Sequence, residues 1–260
     1  MYTARVTGEK DIFLSVIIPA YNEERRLPPT LRAVVSYLSK QAYVWEVVVV
    51  DDGSKDATVD KVKEMAAVDS RVRLLQYGSN RGKGYAVRYG MTRVTGKYRL
   101  FMDADNATTI DHFEKFLPVL KSGWDIVIGS RDVAGADIVV HQAWWKERLG
   151  DLGNLWIQLW AVPGIHDTQA GFKIFKGYVA DKVFPQLTID RWGFDVEALA
   201  VARHFGYKIS EQPIRWVNDA DSRVSPGAYL EVLQEVVQVR LNLWKGVYDQ
   251  DQSTPRAGGH

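Results

Sequence analysis

Cysteine is absent from the 260 residues, which excludes a disulfide framework, a thiolate metal site and a cysteine nucleophile and fits a reducing compartment. An excess of one charge sign is missing as well. Lys and Arg number 33 against 32 Asp and Glu, a formal net charge of +1, so no global basic field recruits nucleic acid. Long hydrophobic runs are also lacking. The longest, around FLSVIIPAY and VWEVVVV, fall far short of the roughly 20 residues of a membrane-spanning helix. The start, MYTARVTGEKD, has no apolar core behind its charges and does not read as a secretory signal. Tryptophan, by contrast, is plentiful, with nine in the chain, and Trp144, Trp145, Trp156 and Trp160 crowd into one short segment.

The first half alternates short β-branched runs with longer amphipathic stretches, the pattern of βαβ units that build a largely parallel sheet. LSVII, WEVVVV, RVRLLQ, KYRLFM and DIVIG read as strands, and Val and Ile on both faces of each run predict helices on both sides of the sheet. PPTLRAVVSYLSK reads as a helix with prolines at its start, where a missing N–H does no harm. The spacing predicts further helices near 57–67, over GKGYAVRYGMTRV and near 110–120. The second half is less regular. Trp145, Leu149, Leu152, Trp156 and Trp160 recur at helical spacing. GFKIF reads as a strand, DVEALAVARHF as a helix, YKIS and IRWV as short strands, and 228–244 as a last helix. The polar tail DQSTPRAGGH reads as disordered.

In an open parallel sheet, ligands bind at the carboxyl ends of the strands. Those ends here are Pro19-Ala20-Tyr21-Asn22-Glu23, Asp51-Asp52-Gly53-Ser54, Asn80-Arg81-Gly82-Lys83-Gly84 and Asp103-Ala104-Asp105. Asp103 and Asp105 stand two apart in an extended segment, so both carboxylates leave on one face and can share a cation. Mg²⁺ or Mn²⁺ suits them, since such ions take one or two protein carboxylates and complete their shell with substrate phosphates. The bland alternative is a solvated acidic loop. Asp51-Asp52-Gly53 fits either a helix start or a contact to a nucleobase N–H or ribose hydroxyl. NRGKG, with amides and two cations at a helix start, suits a phosphate.

The runs SVIIPAYNEE, VVDDGSKDAT, NRGKGYAVRYG, DADNAT, IGSR, DTQAGFKIF and RWGFDVEAL, in that order, resemble the inverting glycosyltransferase family 2 with the GT-A fold, and within it the polyprenyl-phosphate hexose synthases. The resemblance spans about 15–244 and implies one GT-A domain over 13–247, between tails at 1–12 and 248–260. It implies a donor site of Pro19, Tyr21, Glu23, Asp51, Asp52, Arg81, Lys83 and Asp103-Ala104-Asp105, with Mn²⁺ or Mg²⁺ on Asp103 and Asp105. Arg131 would bind phosphate near the reacting centre. Asp167, Gln169, Trp192 and Asp195 would line the acceptor side, and the late basic element would be Ser222-Arg223, where Asp221 replaces a glycine. The RGKG and RW forms lean to the glucosyl branch. In the mannose synthases of the family a glutamine commonly stands where this chain has Ala107.

These positions imply hexose transfer, glucose from UDP-glucose favoured, to a polyprenyl (dolichyl-type) phosphate. Arg131 and Arg223 would stabilise the departing diphosphate. A lipid phosphate is already mostly ionised at neutral pH and needs no general base, whereas a sugar hydroxyl would need one, with Asp195 the candidate. The Trp-rich segment with Lys146 and Arg148 reads as a core helix or as a bilayer-interface element, Arg148 then meeting the acceptor. The last helix, with Val232, Leu233, Val236, Val239 and Leu243 beside Arg240 and Lys245, reads as packing on the sheet or as a second interfacial element, packing slightly favoured. The expected setting is cytoplasmic, peripheral at the cytoplasmic face of a membrane. Alternatives are a GDP-mannose-dependent synthase, a family 2 transferase with a glycan hydroxyl acceptor, and a non-catalytic nucleotide-sugar sensor.

Overall fold

The β-branched runs pair side by side. In the computed structural model, which describes residues 11–139, 153–217 and 226–249, β1 (Leu14–Ala20) lies between β2 (Trp45–Asp51) and β4 (Tyr98–Met102), and β3 (Val72–Gln76) flanks β2. All four are parallel. β5 (Ile126–Ser130) and β8 (Ile209–Pro213) pair in parallel farther along, and β7 (Phe172–Lys176) runs antiparallel between β4 and β5. The strand order is β3-β2-β1-β4-β7-β5-β8. Pro19 is tolerated in this central strand because β4 pairs only with Leu14 to Ile17 of β1, so the missing N–H falls beyond the shared ladder.

Alternating side chains of each strand feed two cores. Val48, Val50, Ile17, Phe101 and Ile128 join one, and Val47, Val49, Val16, Ile18, Leu100 and Val127 the other. α1 (Leu27–Leu38), α2 (Thr58–Val68) and α4 (His112–Lys121) cover the second face through Leu31, Val62 and Phe113. The first face carries α3 (Lys83–Met91), α5 (described over 153–160), α6 (Gly177–Val183), α7 (Phe194–His204) and α8 (Pro226–Trp244) through Val87, Ile157, Val179, Leu199 and Val236. The mixed α/β expectation with helices on both faces holds, and so does the packing of the last helix.

The antiparallel strand is what positions the site. Because β7 begins where β4 ends, with Phe172 paired to Met102, the loop before β7 reaches the same rim as the loops after β1, β2 and β4. β8 ends beside Ser130 and leads into β9 (Arg215–Trp216), which pairs with β6 (Asp137–Ile138). The Val217 N–H then donates to the Ala107 carbonyl at 3.0 Å, tying this segment to the DADNA loop. Buried His112 holds it from below, with Nδ1 3.0 Å from the Thr109 carbonyl and Nε2 accepting from the Arg215 N–H at 3.1 Å. That arrangement suits a neutral imidazole, and burial lowers the His112 pKa.

Candidate active site

The rim loops are stitched together by their own polar side chains. Asn22, in the left-handed region at φ 54°, donates its N–H to Ser54 Oγ at 2.9 Å, and its carboxamide oxygen accepts from the Lys55 N–H at 2.8 Å. Asp51 accepts from the N–H groups of Gly53 and Ser54. Asp52 spans farther. Its carboxylate takes the Arg81 N–H at 2.7 Å, the Gly82 N–H at 2.9 Å and the Tyr77 hydroxyl at 2.9 Å. Both aspartates are buried, so their main work here is to shape the DDGS turn and to hold the NRGKG loop. Glu23 pairs with Arg26, Nε to Oε2 2.7 Å. Tyr21 is exposed, Arg81 stacks 3.7 Å above the Tyr85 ring, and the Ala104 carbonyl accepts from Thr30 Oγ1 at 2.7 Å.

Gly82 and Gly84 let α3 start against the loop before α7. Gly82 has φ 108°, and a Cβ there would fall 2.4 Å from the Asp190 carbonyl oxygen; one on Gly84 would fall 2.8 Å from those of Ile189 and Arg191. The Tyr85 N–H donates to the same Asp190 carbonyl at 2.9 Å. Lys83 therefore starts the helix between the DDGS-held NRGKG loop and the loop before α7. Its Nζ is 2.7 Å from Asp103 Oδ1 and lies 5.8 Å from the centre of the Trp192 ring, which is half-buried.

Asp103 leaves β4 with its N–H on the Gly171 carbonyl, 3.1 Å. A Cβ on Gly171 would fall 1.9 Å from Asp103 Oδ2. Asp105 turns back through Asn106 at φ 57° and accepts from the Ala107 N–H at 3.0 Å. Burial and the nearby Asp103 charge raise its pKa. Behind this pair sits Asp195, in the first turn of α7, 2.7 Å from Lys173 of β7; both are buried. Burial pushes the Asp195 pKa up although Lys173 and Lys83 oppose the shift.

Arg131, just after β5, is clamped by Asp167. Nε and the main-chain N–H reach Oδ2 at 2.7 and 2.9 Å, and Nη2 reaches Oδ1 at 2.8 Å. The guanidinium lies 5.2 Å from the Trp216 ring centre. Burial works against its charge, but Asp167 outweighs that and raises the Arg131 pKa, so the side chain stays cationic. Gln169 is half-buried on the same loop, and the buried Thr168 hydroxyl between them has no hydrogen-bond partner among the described residues.

Residues 15–184 match Glycosyl transferase family 2. The chain belongs to that family. This glycosyltransferase is 35% identical over 252 residues to a dolichyl-phosphate beta-glucosyltransferase of Dictyostelium discoideum, an overlap of 90% of this chain and 77% of that one. It is 34% identical over 254 residues to the Homo sapiens protein of the same name, covering 92% and 78%. A solved glucosyl-3-phosphoglycerate synthase from Mycobacterium tuberculosis, in complex with Mn²⁺, UDP-glucose and phosphoglyceric acid, superimposes with TM-score 0.62 at 17% identity over 89% of this chain and 79% of that one. At that identity the likeness establishes the GT-A fold alone.

The transferase's Asp103 and Asp105 suit a divalent cation. Two carboxylates are brought together, burial and the Asp103 charge raising the Asp105 pKa, and a glycine at 171 is what leaves room for the Asp103 carboxylate. Among the described residues no cluster of three or more His, Cys, Asp or Glu ligands forms.

The structure thus gathers Asp103, Asp105, Lys83, Asp195, Trp192, Arg131 and Asp167 around one rim. Arg148, Arg223, Ser222, Trp144, Trp145 and Lys146 lie outside the described residues. Trp156 and Trp160, their rings 5.2 Å apart, pack against the core, while Leu155 and Leu159 form the exposed side of α5. Of the two readings of this segment, the packing of Trp156 and Trp160 supports the core one for these partly buried rings, which share a stripe with buried Ile157. Sequence reasoning assigned no role to Gly171, Lys173 or Trp216. The signal for Lys173 was a lysine inside the apolar strand FKIFK, where a charge needs a buried partner.

Proposed function

We propose that this glycosyltransferase moves glucose from UDP-glucose to a dolichyl-type polyprenyl phosphate, with inversion, at the cytoplasmic face of a membrane, using Mn²⁺ or Mg²⁺ on Asp103 and Asp105. The names of the relatives support the sugar and the acceptor class. The observation that carries the acceptor assignment is the buried Lys173–Asp195 pair at 2.7 Å. Among the described residues both acceptor-side carboxylates carry internal cations, Asp195 with Lys173 and Asp167 with Arg131, which supports a phosphate acceptor that arrives already ionised.

Arg131 then has a defined task. Asp167 fixes its guanidinium by two side-chain bonds, and the remaining N–H groups can hold the acceptor phosphate or the donor's leaving diphosphate. Lys83 adds a second cation, 2.7 Å from Asp103 Oδ1. A divalent ion bound at the two aspartates would supply Lewis-acid stabilisation of the diphosphate as the anomeric C–O bond breaks. Trp192, beside Lys83, would wall the acceptor side and limit water.

The test is a panel of nucleotide sugars with Mn²⁺ and a short polyprenyl phosphate, scored for organic-soluble glycosylated product. UDP-glucose should be the best donor, and Asp103→Asn should lose most turnover while remaining folded. A clear preference for GDP-mannose, or a soluble glycan that outperforms the lipid phosphate, would overturn the assignment.

A further inference from the structure

Five ionisable side chains meet behind the rim: Asp103, Asp105 and Asp195 against Lys83 and Lys173. The two lysines differ. Lys173 is 1% exposed, fixed in the middle of β7, and its ammonium is shared between Asp195 and the Ala170 carbonyl. Lys83 stands at the open end of α3, keeps 22% of its side chain exposed, and directs its ammonium at Asp103 Oδ1. Its charge is sustained by Asp103, Asp195 and Asp105 together, against the effect of burial. It therefore sits on one of the two carboxylates that suit a divalent cation.

We propose that Lys83 and the divalent cation compete for Asp103, and that the ammonium displaced from Asp103 transfers to the donor diphosphate, so that cation and donor bind cooperatively. Three carboxylates against two ammoniums leave the cluster with one net negative charge. A divalent ion turns that balance positive, and a diphosphate restores it. Lys83 has a chemically equivalent anion to move to once the donor is present, and the long flexible lysine stem makes the shift possible without moving α3. Lys173 has no such freedom. The inference rests on the reading that a divalent cation binds Asp103 and Asp105, and it assigns Lys83 a positioning role in loading that site.

The experiment is a Mn²⁺ titration of the full chain, followed by the electron paramagnetic resonance signal of free Mn²⁺, with and without UDP. One opposite charge commonly shifts an ionic equilibrium by one or more powers of ten. Lys83→Met should therefore bind Mn²⁺ alone about tenfold more tightly than the wild type, and UDP should enhance Mn²⁺ binding less in the variant than in the wild type. Lys83→Arg, which keeps the charge, should stay near the wild-type affinity. Lys83→Gln serves as a second neutral variant, and circular dichroism checks the fold of each. If folded Lys83→Met and Lys83→Gln bind Mn²⁺ no more tightly than the wild type while Asp103→Asn loses it, the exchange is wrong and the metal reading stands. If Asp103→Asn binds Mn²⁺ like the wild type, the metal reading fails and the exchange falls with it.

Discussion

At the scale of single residues, the site depends on what is missing from a side chain as much as on what is present. Gly171 is the clearest case, since any Cβ there would meet the Asp103 carboxylate at 1.9 Å. Its φ is not in the left-handed region, so the constraint is space rather than backbone conformation. Gly171→Ala should therefore displace Asp103 and lower kcat/KM by about 10² or more, with a stability cost of about 1–3 kcal/mol from overpacking. Steady-state kinetics beside a urea melt check this, and wild-type kcat/KM in the folded variant would refute it. Asp103 and Asp105 were legible as a pair at the end of β4, but not for the expected reason: Ala104 and Asp105 lie in a turn rather than an extended segment, and that turn brings Asp105 back beside Asp103. Asp52 was legible as a rim residue, but its hydrogen bonds were not. Nothing local to DDGS reveals that its carboxylate would be taken by N–H groups some thirty positions later.

At the scale of elements, α5 and β7 are where local pattern and tertiary context part. The recurrence of Trp156 and Trp160 at helical spacing marks one stripe of a helix, and a stripe of aromatics is equally suited to a core or to a bilayer. Which it meets depends on the neighbours. Here the stripe meets the core, and Leu155 and Leu159 are left outside at 53% and 67% exposure. The side chain of Asn154 reaches Asp132, the residue after Arg131, at 3.1 Å, so the exposed leucines begin close to the cation that would hold the acceptor phosphate. In vesicle co-sedimentation, Leu155→Gln/Leu159→Gln should reduce binding to bilayers containing anionic lipid while leaving the melting temperature nearly unchanged. Trp156→Ala/Trp160→Ala should instead destabilise the protein, by about 1–3 kcal/mol for each half-buried ring, less than a fully buried one would cost. Equal vesicle binding by the leucine variant and the wild type would remove α5 from any lipid contact. For β7 the strand itself was readable from FKIFK, but its direction was not, since hydrophobic alternation is the same read either way.

At the scale of the whole molecule, the two cores meet the rim through long-range ties. Glu197 of α7 accepts from the N–H groups of Thr188 and Ile189, each at 2.9 Å, and so fixes the turn that carries Asp190 and Trp192 to α3. Tyr248, placed in the tail by the sequence reading, is 1% exposed, and its hydroxyl donates to Glu197 at 2.8 Å. The chain thus contributes to the fold beyond 247. Burial raises the Tyr248 pKa, with Glu197 adding to the shift, which keeps the hydroxyl a donor throughout the working pH range. Tyr248→Phe should cost about 1–2 kcal/mol, the hydrogen bond alone, and Tyr248→Ala about 3–5 kcal/mol through the lost ring. Urea denaturation of both variants measures the difference, and a neutral Tyr248→Ala would place this residue outside the cooperative unit.

The amino-acid sequence by itself determined the strand and helix identities of the first half, the mixed α/β class, the gathering of polar loops at the strand ends and the Asp103–Asp105 pair. These follow from local periodicity and from the chemistry of residues within a few positions of one another. Tertiary structure alone decided the antiparallel insertion of β7, the pairing of Arg131 with Asp167, the burial of Asp195 against Lys173 and the contact of Lys83 with Asp103. Each of these joins residues separated by at least twenty positions. The physical reason is that charge pairing inside a protein is chosen by which groups lose their water together, and that depends on the register of neighbouring strands rather than on any residue's immediate neighbours in the chain.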